Sequence, residues 1–266
     1  MNIYVFELKS QVKNVIIWTT AIIICLAVFQ IGIYPMFSDS LDEILKVISG
    51  FPKSFLVAFG FDVDTMFSFD GFFNLTYSYL TLMGAIMAMV LSLSTFAREK
   101  RNKCVDFLLT KPIGRNKIFI AKLLAVLTAI VITNVFVIVS SIIIYQKADE
   151  PAKDIGIFLL GVSGLFFTQL VFVAMGVMFA VFAKKIRSIS GTATAVGFCA
   201  FILSALYGIL EEEFLRFVAP LKYFDAAAVN SSGSFEARYV CVAMIVIIIC
   251  VGTAYTAYCK RDAHAV

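Results

Sequence analysis

Six stretches of this chain are apolar for longer than a soluble fold requires, and they limit what it can become more than any other feature. Residues 15–37, 74–96, 118–145, 155–183, 188–210 and 239–259 each reach the roughly 20 residues that a helix needs to cross bilayer hydrocarbon. Inside hydrocarbon the backbone must satisfy its own N–H and C=O groups, which leaves helices or a closed barrel. None of the six shows the short alternating pattern of a barrel strand, so helices remain. The composition agrees: 61% of the 266 residues are hydrophobic and 15% charged, with a mean hydropathy of +0.94, far from the average soluble domain. The first run is too long for a signal peptide and ends in Tyr34-Pro35-Met36-Phe37 without a small-residue cleavage site, so it reads as a retained span. The expectation is an all-α, multi-pass integral membrane protein, one domain over residues 1–266 with six transmembrane helices.

Cations set the orientation. Placing the amino terminus, the loop after the second span, Lys184-Lys185-Arg187 and the carboxyl terminus on one side gathers 15 of the 22 Lys and Arg there, Lys122 among them. Only Glu7, Glu99, Asp106 and Asp262 accompany them. By the positive-inside rule that side is the cytoplasm, and both termini are expected in it, with the chain in the cell membrane. The densest cluster is the elbow at residues 97–117, where Arg98, Lys100, Arg101, Lys103, Lys111, Arg115 and Lys117 face two acids, Glu99 and Asp106. Within it Val105, Leu108 and Leu109 recur at helical spacing beside Cys104 and Phe107, and Pro112 with Gly114 stops the helix. A basic amphipathic helix of this kind either lies on anionic membrane lipid or docks a partner protein, and the residue pattern admits both.

Residues 1–14 read as a short interfacial helix leading into the first span, and Gln30 as an interhelical hydrogen-bonding group within that span. The outer loop, residues 38–73, carries an amphipathic helix around Leu41, Ile44, Leu45 and Ile48. After Pro52 follows an apolar run too short to span, either a lid or a gate. Gly176 and Ala180 permit close helix approach in the fourth span, and Glu211-Glu212-Glu213 must end the fifth outside hydrocarbon. The six cysteines offer no pair in the outer loops, and no His/Cys cluster has metal-ligand spacing, so neither a disulfide framework nor a metal site is expected.

No G-x-x-x-x-G-K-[ST] occurs, so no P-loop binds ATP in this chain, and no Asp, Glu, Lys, Arg or His lies in the middle of any span. Proton-coupled carriers and intramembrane hydrolases need such groups, so neither a catalytic residue nor a cofactor is expected here, and nucleic acid is not among the expected partners. On the second span Asn74, Ser78, Thr81, Ala85, Ala88, Ser92 and Thr95 fall at alternating steps of three and four, one small, polar helix face. On the fifth, Ser190, Thr194, Gly197, Ser204 and Gly208 form a less complete stripe. Such faces either pack closely against another helix or line a path.

Glu99, Phe107-Leu108-Leu109, Pro112-Ile113, Arg115, Ile118 and Lys122 resemble the signature of type-2 ABC exporter permeases, with Lys103-Cys104 standing where that pattern has Gly-Thr. The order of spans, the long first outer loop, the segment at residues 219–224 and the closing Lys260-Arg261-Asp262 extend the resemblance over the whole chain. The resemblance implies that the elbow is a coupling helix inserting into a separate ATPase subunit, with Glu99, Cys104, Val105, Phe107, Leu108, Leu109, Pro112 and Arg115 at the joint. It implies a pair of permease chains, identical or related, served by two ATPase subunits that bind the ATP and Mg. It further implies that spans two and five line the path, through Asn74, Ser78, Thr81, Ser92, Thr95, Ser190, Thr194, Gly197 and Ser204. The residues alone also admit a non-transporting scaffold or sensor that recruits a cytoplasmic protein through its elbow.

Overall fold

The structure is a computed structural model that describes residues 3–39, 41–62, 65–98, 114–147 and 154–260. Helix α1 (Ile3–Ala27) passes through a π-helical turn (Val28–Ile33) into α2 (Tyr34–Asp39), and α3 (Leu41–Ile48) and α4 (Lys53–Ala58) cross the loop to α5 (Phe69–Phe96). The remainder is α6 (Arg115–Lys147), α7 (Ile155–Phe182), α8 (Ile189–Leu210), α9 (Glu213–Val218), a 3-10 turn (Pro220–Lys222), α10 (Ala226–Ser232) and α11 (Ala237–Lys260). The fold is all-α, without a strand among the described residues, and six helices are long and apolar enough to cross a membrane.

The first of these begins well ahead of its apolar run: residues 3–14 are helical, as expected, and continue unbroken into the first span. The buried positions of α1 are Glu7, Gln11, Val15, Thr19, Ile22 and Leu26, so one face, stepping by fours and threes, runs the length of the helix. The π turn before α2 has a local cause. Pro35 cannot donate to the carbonyl four residues back and its ring would collide with that carbonyl, so the helix widens ahead of it. Gln30 sits in that turn, buried, and its amide has no hydrogen-bond partner among the described residues, contrary to expectation.

Helix ends follow their local chemistry. Ser68 Oγ accepts from the Gly71 N–H at 3.1 Å and starts α5 before the apolar run itself begins. Ser188 Oγ does the same for α8 through the Gly191 N–H at 3.1 Å, and Asp154 for α7 through the Gly156 N–H at 3.1 Å. Helix α8 ends at Leu210, where Glu211 takes the left-handed conformation (φ 53°) and turns the three acids out of the helix.

Helices α5 and α7 are the most enclosed of the six, while α1, α8 and α11 expose most of their length. Helix α5 packs on α7, α8, α1 and α6. Its seam with α7 is close because Gly176 stands opposite Ser92: a Cβ at Gly176 would lie 1.9 Å from Ser92 Oγ. Midway between α6, α7 and α5 lies an amide pair, Asn134 Nδ2 donating to Gln169 Oε1 at 2.6 Å and Gln169 Nε2 reaching the Gly84 carbonyl at 3.4 Å. Such interhelical bonds contribute on the order of 1 kcal/mol each.

Candidate functional site

A cavity of about 750 Å³ opens at the end of the bundle where α2 meets α5, between α3, α4, α5, the last turns of α8 and residues 221–227. Local chemistry holds α4 over it. Tyr79 on α5 donates to the Phe59 carbonyl at 2.7 Å, and Gly208 lets the Val57 backbone approach α8, a Cβ there lying 3.2 Å from the Val57 oxygen. Much of the lining is apolar or aromatic, Leu56, Phe59, Phe201 and Phe224 included, and its polar groups include Ser78, Thr81, Ser204, Lys53 and Asp62 on the α4 side, and the ion pair Lys222–Asp225 at 2.6 Å. Concave, mainly apolar sites with sparse polar groups are where small and amphipathic molecules bind.

The stripe on the second span therefore divides. At the cavity end Ser78 and Thr81 border the space, with Ser204 of α8 across from them. Asn74 turns instead to α10, its Oδ1 accepting from Asn230 Nδ2 at 2.9 Å. At the other end Ser92 is fully buried against Gly176, and Thr95 is fully buried with its Oγ1 accepting from Gln11 Nε2 at 2.8 Å. Neither lines the cavity. On α8 the inward face is Ala193, Gly197, Ala200 and Ser204, with Gly197 pressed on Ile86 of α5. Ser190 and Thr194 are exposed. One stripe on the sequence is thus two environments in space, because α1 and α7 cover it at the Thr95 end while α4 and α8 leave a space beside it at the Ser78 end.

The segment at residues 221–225 brings an ion pair to the cavity rim. Burial alone would raise the Asp225 carboxyl, but the Lys222 ammonium and the Ala227 N–H outweigh it and hold the carboxyl below its ordinary range. Burial raises the Tyr223 phenol. A folded-state carboxyl held low contributes stability that is complete above its unfolded value of about 4 and is lost as the pH falls through the folded value. Asp225→Asn is therefore expected to lower thermal stability at neutral pH and to flatten its decline between about pH 4 and 2, checked by unfolding scans in detergent. An unchanged acid limb would assign that decline to other carboxyls.

At the opposite end, where Arg98 and Arg115 flank the elbow, the helices are tied by charge. Arg98 meets Glu7 at 3.1 Å and donates to Ser10 Oγ; Lys122 donates to the Thr95 carbonyl at 2.9 Å and lies 3.8 Å from the other Glu7 oxygen. Gln11 reaches Ser94 Oγ at 2.6 Å beside them. Lys122, counted above with the cations of the cytoplasmic side, is 0% exposed and paired inside the bundle. The sequence reading missed this cluster. The signal was present in the steps of four from Glu7 to Gln11 to Val15, which join the charged residues to the buried face of the span. Of the proposed coupling residues only Arg115 is described, its Nη1 donating to the Cys259 carbonyl at 3.4 Å. Glu99, Cys104, Val105, Phe107, Leu108, Leu109 and Pro112 lie outside the described residues.

A family profile described as ABC-2 family transporter protein matches residues 1–263, nearly the whole chain. The chain belongs to the ABC-2 transporter family. It is a type-2 ABC permease, a multi-pass membrane component of transport that is not itself catalytic, and membership implies partnership with ABC ATPase subunits. No curated protein matches it. The six apolar helices and the cavity between the second and fifth of them are accordingly features of an ABC-2 permease.

Proposed function

We propose that this permease is the membrane half of an ATP-driven exporter, paired with a second permease chain and coupled through residues 97–117 to two ATPase subunits that bind ATP and Mg. In this reading the elbow end faces the cytoplasm of a cell membrane, as the cation distribution favours, and the cavity is the outward part of the path. The observation that carries it is the cavity itself: a space of about 750 Å³, bordered by Ser78 and Thr81 on the second span and Ser204 on the fifth, in a chain of this family. Ser190 and Thr194, exposed on α8, belong in this reading to the contact with the second permease chain. Ser92, Thr95 and Gly197 serve packing within one chain.

Single cysteines test it in a background with the native cysteines replaced. Ser78→Cys, Thr81→Cys and Ser204→Cys are expected to react with a membrane-impermeant maleimide, and their rates to change severalfold when the ATPase is trapped with ATP and vanadate. Ser92→Cys is expected to stay silent, because its side chain is sealed against Gly176. Silence at Ser78, Thr81 and Ser204 in every nucleotide state would mean a dry cavity and no path there. Reactivity that ignores the nucleotide would match a scaffold rather than a pump.

A further inference from the structure

The coupling segment leaves the bundle between two tied ends, and each tie reaches a helix other than the two that the segment connects. Arg98, at the foot of α5, is held by Glu7 and Ser10 of α1; Arg115 and Asn116, at the head of α6, meet the Cys259 carbonyl at 3.4 Å and the Cys259 thiol at 2.9 Å on α11. The first tie is the stronger construction. Thr95 is in the last turn of α5, so its carbonyl has no partner within the helix, and the Lys122 ammonium of α6 supplies one at 2.9 Å. Glu7, 4% exposed, stands between that ammonium and the Arg98 guanidinium. Three helices are therefore knotted at the last turn before the segment begins. Phe96 lies under Lys122 and Phe6 under Arg98, each with the cation 5.7 Å from the ring centre; Lys122 is fully buried there, whereas Arg98 stays partly exposed.

Stability does not account for this arrangement. Charges buried at the foot of a membrane helix lose their hydration, and well-packed apolar side chains in the same place hold helices together as well or better. What a buried ionic joint adds is directionality: the partners fit in one geometry, and when one moves the others must follow. We propose that Glu7 is a positioning residue that locks the first helix to the point where the coupling segment leaves the second, so that displacement of the segment carries α1 with it. The proposal rests on the reading of residues 97–117 as the coupling segment and goes beyond it in making the first helix a moving part of the exporter.

Two measurements separate the joint from that reading. In vesicles that expose the elbow end, with the permease alone, Glu7→Gln is expected to speed tryptic cleavage within residues 98–117 roughly tenfold, since cleavage follows the population of the open form. Cleavage at Lys184, Lys185 and Arg187, a separate turn, is expected to keep its rate, and Lys122→Arg to behave as the parent because it preserves the donor and the charge. Parental cleavage in Glu7→Gln, or equal acceleration at both places, overturns the proposal, the second because it marks general loosening. In the complex with its ATPase, Glu7→Gln is expected to retain ATPase binding and ATP turnover while losing the vanadate-dependent change in maleimide labelling at Thr81→Cys. Retention of that change overturns the proposal. A parent complex in which labelling never responds to nucleotide would instead defeat the exporter reading, and the proteolysis would still decide whether Glu7 holds the segment.

Discussion

Aspartate in place of both Leu108 and Leu109 is expected to strip the ATPase subunits from the permease while the chain still inserts and folds. Both leucines fall on the apolar face of a basic amphipathic segment, outside every apolar run, so neither is needed to cross the membrane. A leucine that fills a partner's pocket contributes about 2 kcal/mol when well buried, and an aspartate in its place must also be desolvated without a partner. Two such changes amount to at least about 4 kcal/mol, which weakens association several hundredfold. Co-purification from detergent, read as the ratio of ATPase to permease, checks it; wild-type retention would sink the docking role. Neutralising Arg98, Lys100, Arg101 and Lys103 discriminates the alternative. If the elbow served only to lie on anionic lipid, the cations would matter more than the leucines, at about 1 kcal/mol per charge near the surface. Arg98 is best left out of that set in a first experiment, because it also holds Glu7 at 3.1 Å.

Gly176→Ala is expected to damage the bundle severely, because the added methyl enters the closed seam between α5 and α7. The new Cβ would meet Ser92 Oγ at 1.9 Å and Ser92 Cβ and Met89 Sδ at 3.0 Å, and both partners belong to the most enclosed helix of the bundle. The serine hydroxyl has little freedom to leave, since Ser92 is fully buried and its Oγ donates to the Ala88 carbonyl at 2.9 Å. Overpacking of this kind costs about 1–3 kcal/mol, as helices are pushed apart or side chains leave their rotamers. The half-life of folded permease at elevated temperature should fall by roughly tenfold or more, the appropriate measure where unfolding is irreversible. Ser92→Gly clears the space, so the double variant should recover much of the loss. Gly252→Ala, with nothing within 4 Å of its added Cβ, serves as the control. Equal loss at Gly176 and Gly252 would show that glycine itself, not the seam, was being measured.

Much of the fold could be read along the chain because it depends on local properties. A run of about 20 apolar residues makes a helix long enough to cross hydrocarbon whatever packs beside it. A serine or aspartate ahead of such a run caps it, as Ser68, Asp154 and Ser188 do. The close-packing glycine in the fourth span was equally legible, since a small residue has few other uses midway through a membrane helix. At residues 3–14 two local signals opposed each other. Charge at Glu7, Lys9 and Lys13 argued against burial, while the face that continued through Gln11 and Val15 argued for it, and the bundle settled the matter by supplying Lys122 and Arg98 as partners.

Sequence by itself determined the class of protein: a helical membrane bundle with six apolar helices and a cation-rich elbow. It also placed the small and polar stripe on one face of the second span. Which part of that stripe meets a cavity was decided only in three dimensions. Ser78 and Ser92 share a residue type, a helix and a face, yet Ser78 borders an open space of about 750 Å³ and Ser92 is sealed behind a glycine 84 positions further along the chain. Lys122 shows the same division. Hydropathy counts it as a charge near the membrane surface, whereas the structure finds it fully buried between a carboxylate on α1 and a helix-terminal carbonyl on α5. Hydropathy and periodicity belong to single residues and their near neighbours; burial and charge pairing belong to whatever distant segment arrives beside them, and only the packed bundle specifies that.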